Sequence, residues 1–209
     1  MPFLARAFLT LLVVIDPVGL MPIFISLTEK YSPAQQDRIA RQAVLVAGGI
    51  LLIFALIGNW LLRYLGISIE AFQMAAGLLL LKIAVDMVFA QRERETSEEE
   101  QEAQLREDIS VFPLAIPLIA GPGALASLLI LTAEVHDHRF GLVMILATLA
   151  VVLFIAYLLF RLSKRLAYAF GKTGINVVTR VLGVLLTALA VQYVASGATV
   201  LLKNALQPV

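Results

Sequence analysis

The sequence predicts an all-α membrane protein of six transmembrane helices, arranged as two inverted three-helix repeats whose first and fourth helices are broken. Three observations carry this: six apolar runs of spanning length, Pro/Gly clusters inside two of them at corresponding places, and a spaced identity between the third run and the sixth. Of 209 residues, 60% are hydrophobic and 15% charged, with a mean hydropathy of +0.92. A water-soluble globule of this length has no use for so much apolar surface.

In chain order the runs are 2–27, 40–65, 69–90, 109–132, 140–162 and 176–202. A hydrocarbon core about 30 Å thick takes about 20 helical residues. The runs are too long for barrel strands and lack their alternation, so each reads as a helix. The first has Arg6 ahead of an apolar stretch, as a secretory leader does, but it contains Asp16, Pro17 and Pro22 and has no small-residue cleavage site, so it reads as a membrane helix. Trp60 and Tyr64 suit interfacial anchors at the outer end of the second. In the third, Lys82 and Asp86 lie one turn apart and are expected to pair, close to the cytoplasmic end. Pro113, Pro117 and Gly121-Pro122-Gly123 interrupt the fourth, and Arg180 and Gln192 are the polar residues of the sixth.

Polar links join the runs at 28–37, near Gly66, and at 91–108, 134–139 and 163–174. The third link sets eight acids against three arginines, which suits a solvated connector between a first repeat (1–90) and a second (109–209). Sorting Lys and Arg by alternate links gives ten on the odd-numbered side against four on the other. That bias puts the odd-numbered links in the cytoplasm and both termini outside. With no cysteine, thiolate metal sites and dithiol chemistry are excluded. His136 and His138 flank Asp137 in a short turn, a poor metal site without a further ligand. No cofactor and no metal is expected, and nucleic acid has no soluble platform to bind.

The repeat aligns Gly77-Leu-Leu-Leu-Leu-Lys-Ile-Ala-Val-Asp-Met87 with Gly183-Val-Leu-Leu-Thr-Ala-Leu-Ala-Val-Gln-Tyr193, identical at five of eleven positions. Three spans per copy reverse the second copy in the bilayer. Asp16-Pro17-Val18-Gly19 in the first helix and Gly121-Pro122-Gly123 in the fourth then fall in corresponding places. Proline removes a donor and glycine eases non-helical dihedrals, so both segments are expected to unwind near the midplane. A lone proline would be only a kink, but matched breaks point to a shared site. There half-helix amino termini can receive an anion and unwound carbonyls a cation, a pairing that fits a zwitterion. Asp16 reads either as an amine ligand or proton acceptor, or as a helix cap before Pro17. Arg180 either counters a carboxylate or snorkels, and Gln192 completes the candidate set.

Four stretches resemble the MarC family of bacterial integral membrane proteins, also called neutral amino acid transporters: Asp16 to Phe24, Phe72 to Gly77, Pro113 to Gly123, and Arg180 to Gln192. Leu20 stands where that family often has Asn. The resemblance covers essentially the whole chain. It implies a six-span protein of the inner membrane, some of whose relatives move glycine, alanine and similar neutral amino acids with protons. The expected function is therefore a secondary transporter working by alternating access, with the bilayer and a small neutral amino acid as partners and self-association left open. The alternatives are a non-transporting scaffold or channel and, less favoured, an intramembrane enzyme, for which the spans offer no His or Cys.

Overall fold

The computed structural model describes residues 3–89, 108–135 and 140–206, and the described residues form helices without a strand. Most of the 91–108 connector and the His136–Asp137–His138 turn lie outside the described residues. The chain runs α1 (Phe3–Ile15), α2 (Leu20–Thr28), α3 (Pro33–Tyr64), α4 (Ile69–Val88), α5 (Ser110–Ile119), α6 (Pro122–Glu134), α7 (Gly141–Gly171) and α8 (Thr173–Leu206). Four of these, α3, α4, α7 and α8, are long and apolar enough to cross a bilayer. The pairs α1/α2 and α5/α6 are bent by 43° and 54° at short breaks and make six spans if each pair is one.

Local chemistry sets the ends. At α3, Ser32 accepts from the Gln35 N–H while the Gln35 side chain accepts from the Ser32 N–H, with Pro33 just inside. Ser68 caps α4 after the turn at Gly66, whose φ of +70° glycine adopts at little cost. The fifth link is narrower than expected. Helix continues through Ser163 to Phe170 and breaks only at Gly171, where φ is +63°, because a helix rich in Leu, Lys, Arg and Ala persists past the bilayer edge. In α5 the extended residues are Phe112 and Ile116, each preceding a proline whose ring excludes the α conformation there.

Among the broken helices, α6 is the most enclosed. From Gly123 to Thr132, α6 is buried at nearly every position. A helix apolar all round has to be enclosed. The long α3 is buried along one stripe, Gln36, Ala40, Ala43, Ala47, Leu51, Ala55, Gly58 and Leu62, whose alanines and glycine let neighbouring backbones approach. Its outer face shows Leu45, Ile53, Leu56 and Trp60. Such exposure suits lipid.

The repeat appears as reciprocal packing. A Cβ at Gly77 would lie 2.8 Å from both the Ala190 oxygen and the Val194 nitrogen, and one at Gly183 would lie 2.9 Å from Met87 Cβ and 3.2 Å from the Ala84 oxygen. The alignment that sets Gly77 over Gly183 also sets Ala84 over Ala190, so each glycine meets its counterpart's partners. Residue numbers rise along α4 as they fall along α8, because Gly197 packs on Glu70 and Met74. Equivalent helices packed antiparallel are related by a two-fold axis perpendicular to them, which is the inverted arrangement.

Candidate functional site

Asp16 has no exposed surface. Its amide still bonds the Leu12 carbonyl at the end of α1, and its own carbonyl receives the Leu20 N–H at 3.1 Å. Between these two turns its φ is +47°, a region that Asp and Asn tolerate better than most residues. The carboxylate turns back to accept from the Gly19 N–H at 3.1 Å. Asp16 is thus the cap expected of an Asp before Pro17. Any side chain at Gly19 would overlap that carboxylate.

The second break follows the same plan without the acid. Gly121 starts α6 with Pro122 just inside, and its carbonyl receives the Leu125 N–H at 3.0 Å, but no side chain caps the turn. A Cβ on Gly121 would overlap the Pro117 carbonyl. At Gly123 a Cβ would lie 2.9 Å from Leu80 Cδ2, 3.2 Å from Val14 Cγ1 and 3.3 Å from Ile83 Cδ1. Val14 is two residues before Asp16, so the two breaks adjoin at the centre of the bundle. One half-helix end is closed by the Asp16 side chain. The other presents its positive end without a side-chain acceptor.

Pro17 is buried, Val18, Gly19 and Gly121 are half-buried, Pro122 is exposed and Gly123 is buried. Arg180 and Gln192 stand apart from them. Both are exposed, because the buried stripe of α8 runs through Leu186, Ala190 and Tyr193 and passes them by. Gln192 spends its amide on Ser196 Oγ at 3.1 Å. Lys82 and Asp86 do pair, at 3.1 Å. They lie in the last two turns of α4, with the Lys82 side chain exposed.

Ser127 escaped the sequence reading. It is wholly buried, four residues beyond Gly123, with its hydroxyl at the phenol of buried Tyr193. A serine one turn below a break was the available signal, but serine hydroxyls inside helices commonly bond their own backbone.

At the entrance to the second repeat, Asp108 accepts from Ser110 Oγ at 2.5 Å, from the Ser110 N–H at 3.0 Å and from Gln42 Nε2 at 3.2 Å. The Ser110 hydroxyl above all, with backbone donors and Gln42, holds its carboxyl below the usual carboxylate range against an opposing push from burial. At the opposite end Arg6 pairs with Glu134, and Asn59 reaches Thr132 Oγ1 at 3.4 Å.

Spanning helices, two of them broken with their breaks side by side, define an integral multi-pass membrane protein of inverted-repeat architecture. The chain belongs to the MarC family of integral membrane proteins, which matches residues 1–202. It is similar to a UPF0056 membrane protein of Methanocaldococcus jannaschii, 40% identical over 192 residues, covering 91% of this chain and 93% of that one. A UPF0056 membrane protein of Escherichia coli is 34% identical over 200 residues, covering 94% and 92%. One of Bacillus subtilis is 34% identical over 198 residues, covering 93% of each. No solved structure matches.

Proposed function

We propose that this protein is a secondary transporter of small neutral amino acids of the glycine and alanine class, coupled to protons and working by alternating access. The observation that carries the reading is the adjacency of two half-helix amino termini, one closed by Asp16 and one without a side-chain cap at Gly121. The substrate carboxylate goes to the open turn at Gly123, and the ammonium to Asp16 and the carbonyls around it. A ligand with almost no side chain must be held by its two charged ends. Backbone can supply most of that grip with little net charge in the bilayer. The buried Ser127 hydroxyl, one turn further along α6, adds a polar contact at the same place. Protonation of Asp16 couples the proton to binding.

In this reading the protein sits in the cytoplasmic membrane with both termini outside, following the ten-to-four bias of Lys and Arg. The test is uptake of labelled glycine and alanine into proteoliposomes. Flux should saturate, respond to a pH gradient and vanish in Gly123→Val, whose added methyls collide with Leu80 and Val14 at the break. Flux without saturation would instead make the protein a channel. No flux of either substrate under any gradient would end the proposal.

A further inference from the structure

Near the end of the bundle that holds the 29–32 link lies a cavity of about 470 Å³, lined by residues of α2, α3 and α7. Its floor is apolar, formed by Phe24 of α2 stacked on Phe160 of α7 with ring centroids 4.8 Å apart. The walls are basic. Arg161, Lys164 and Arg165 line it, and the acid among its lining residues is Asp37. Asp37 is already engaged, taking the Tyr157 hydroxyl at 2.9 Å and Arg161 at 3.4 Å. Lys164 and Arg165 make no ion pair among the described residues. Three cations against one carboxylate leave the cavity positive.

Backbone adds to the same sign. The amino-terminal turn of α3 supplies Pro33, Ala34 and Gln36 to the lining, so the positive end of a 32-residue helix abuts the cavity. The opposing negative end, the last turn of α2, is masked. Buried Gln36 donates to the Thr28 carbonyl at 2.7 Å and to the Tyr31 carbonyl at 3.0 Å. Tyr168, 95% exposed on α7 just after the basic residues, suits a membrane–water boundary, where Tyr is enriched. A cavity with an apolar floor and a basic rim at that level matches an amphiphile with an anionic head.

We infer that this cavity binds the phosphodiester headgroup of an anionic phospholipid from the adjoining leaflet, with Lys164, Arg165 and the α3 amino terminus at the phosphate and the Phe24–Phe160 stack beneath the glycerol. The inference is independent of the transport reading. α2 links the lipid cavity to the Asp16 cap, so an occupied cavity braces the half-helix that forms one side of the break.

The test uses the full-length protein purified in detergent, with native mass spectrometry to count retained lipids and thermal unfolding to follow stabilisation. Probes are phosphatidylglycerol, phosphatidylcholine and inorganic phosphate, applied to the wild type, to the exposed double variant Lys164→Ala/Arg165→Ala and to Lys203→Ala as a charge control. Phosphatidylglycerol should bind the wild type and Lys203→Ala alike and raise their melting temperatures, with phosphatidylcholine much weaker. The double variant should unfold cooperatively but bind phosphatidylglycerol roughly thirtyfold more weakly, since each interfacial Lys or Arg contributes about a factor of five. Equal phosphatidylglycerol affinity in the double variant would overturn the site. Full stabilisation by inorganic phosphate alone, with no preference for the lipid, would overturn the lipid as its occupant.

Discussion

Replacing Gly77 by alanine tests whether α4 and α8 are a reciprocally packed pair. The added Cβ would sit 2.7 Å from Val194 Cγ2 and 2.8 Å from the Ala190 oxygen and the Val194 nitrogen. Two of those three atoms are backbone and cannot rotate away, so α8 must retreat by roughly half an ångström to restore ordinary contact. Overpacking of this kind costs about 1–3 kcal/mol. Alanine returns about 1 kcal/mol of helix propensity. Gly49, on α3, has nothing within 4 Å of its added Cβ and therefore reports the propensity gain alone. Gly183→Ala should fall between them, because its nearest neighbours are Met87 Cβ at 2.9 Å and Val88 Cγ2 at 3.1 Å, with backbone only at 3.2 Å. Thermal unfolding in one detergent should order the melting temperatures as Gly49→Ala, Gly183→Ala, Gly77→Ala. A gap of about 2 kcal/mol between the extremes corresponds to roughly 4–8 °C for a chain of this size. A Gly77→Ala protein melting together with Gly49→Ala would show that the two helices are not in close contact, and the two-fold argument would go with it.

Three other outcomes are expected. Asp16→Asn keeps an acceptor for the Gly19 N–H and tolerates positive φ, so melting should change little while amino acid uptake and its pH dependence are lost; unchanged pH-dependent uptake would remove Asp16 from the coupling. Ser127→Ala removes a wholly buried hydroxyl at the Tyr193 phenol, so stability should fall by no more than about 1 kcal/mol while the KM for uptake rises; an unchanged KM would take Ser127 out of the site. Asp108 has a depressed folded pKa, so its contribution to stability is complete above its unfolded value near 3.8 and disappears as pH falls through the lower folded value. Asp108→Asn should flatten that acid limb of a stability–pH profile, and an unaltered limb would assign it to other carboxylates.

The sequence by itself determined how many spans there are, which two are broken and where, because these follow from local quantities. The length of an apolar run answers to the bilayer, and Pro17, Gly121 and Pro122 act through local backbone chemistry. The cap at Asp16 was one of two readings the sequence left open, and it could be named because the acid and the amide it accepts from are three residues apart. The repeat could be found in sequence because glycine at Gly77 and Gly183 is enforced by close backbone approach, a demand few other residues meet. Tertiary structure alone decided what those breaks face. Which side of α8 is buried depends on where α4 sits, and that choice left Arg180 and Gln192 outside and enclosed Tyr193. Likewise Ser127 matters only because α6 is surrounded. The basic cavity is built from α2, α3 and α7, whose contributing residues lie far apart in the chain and carry no joint signature until packing brings them together.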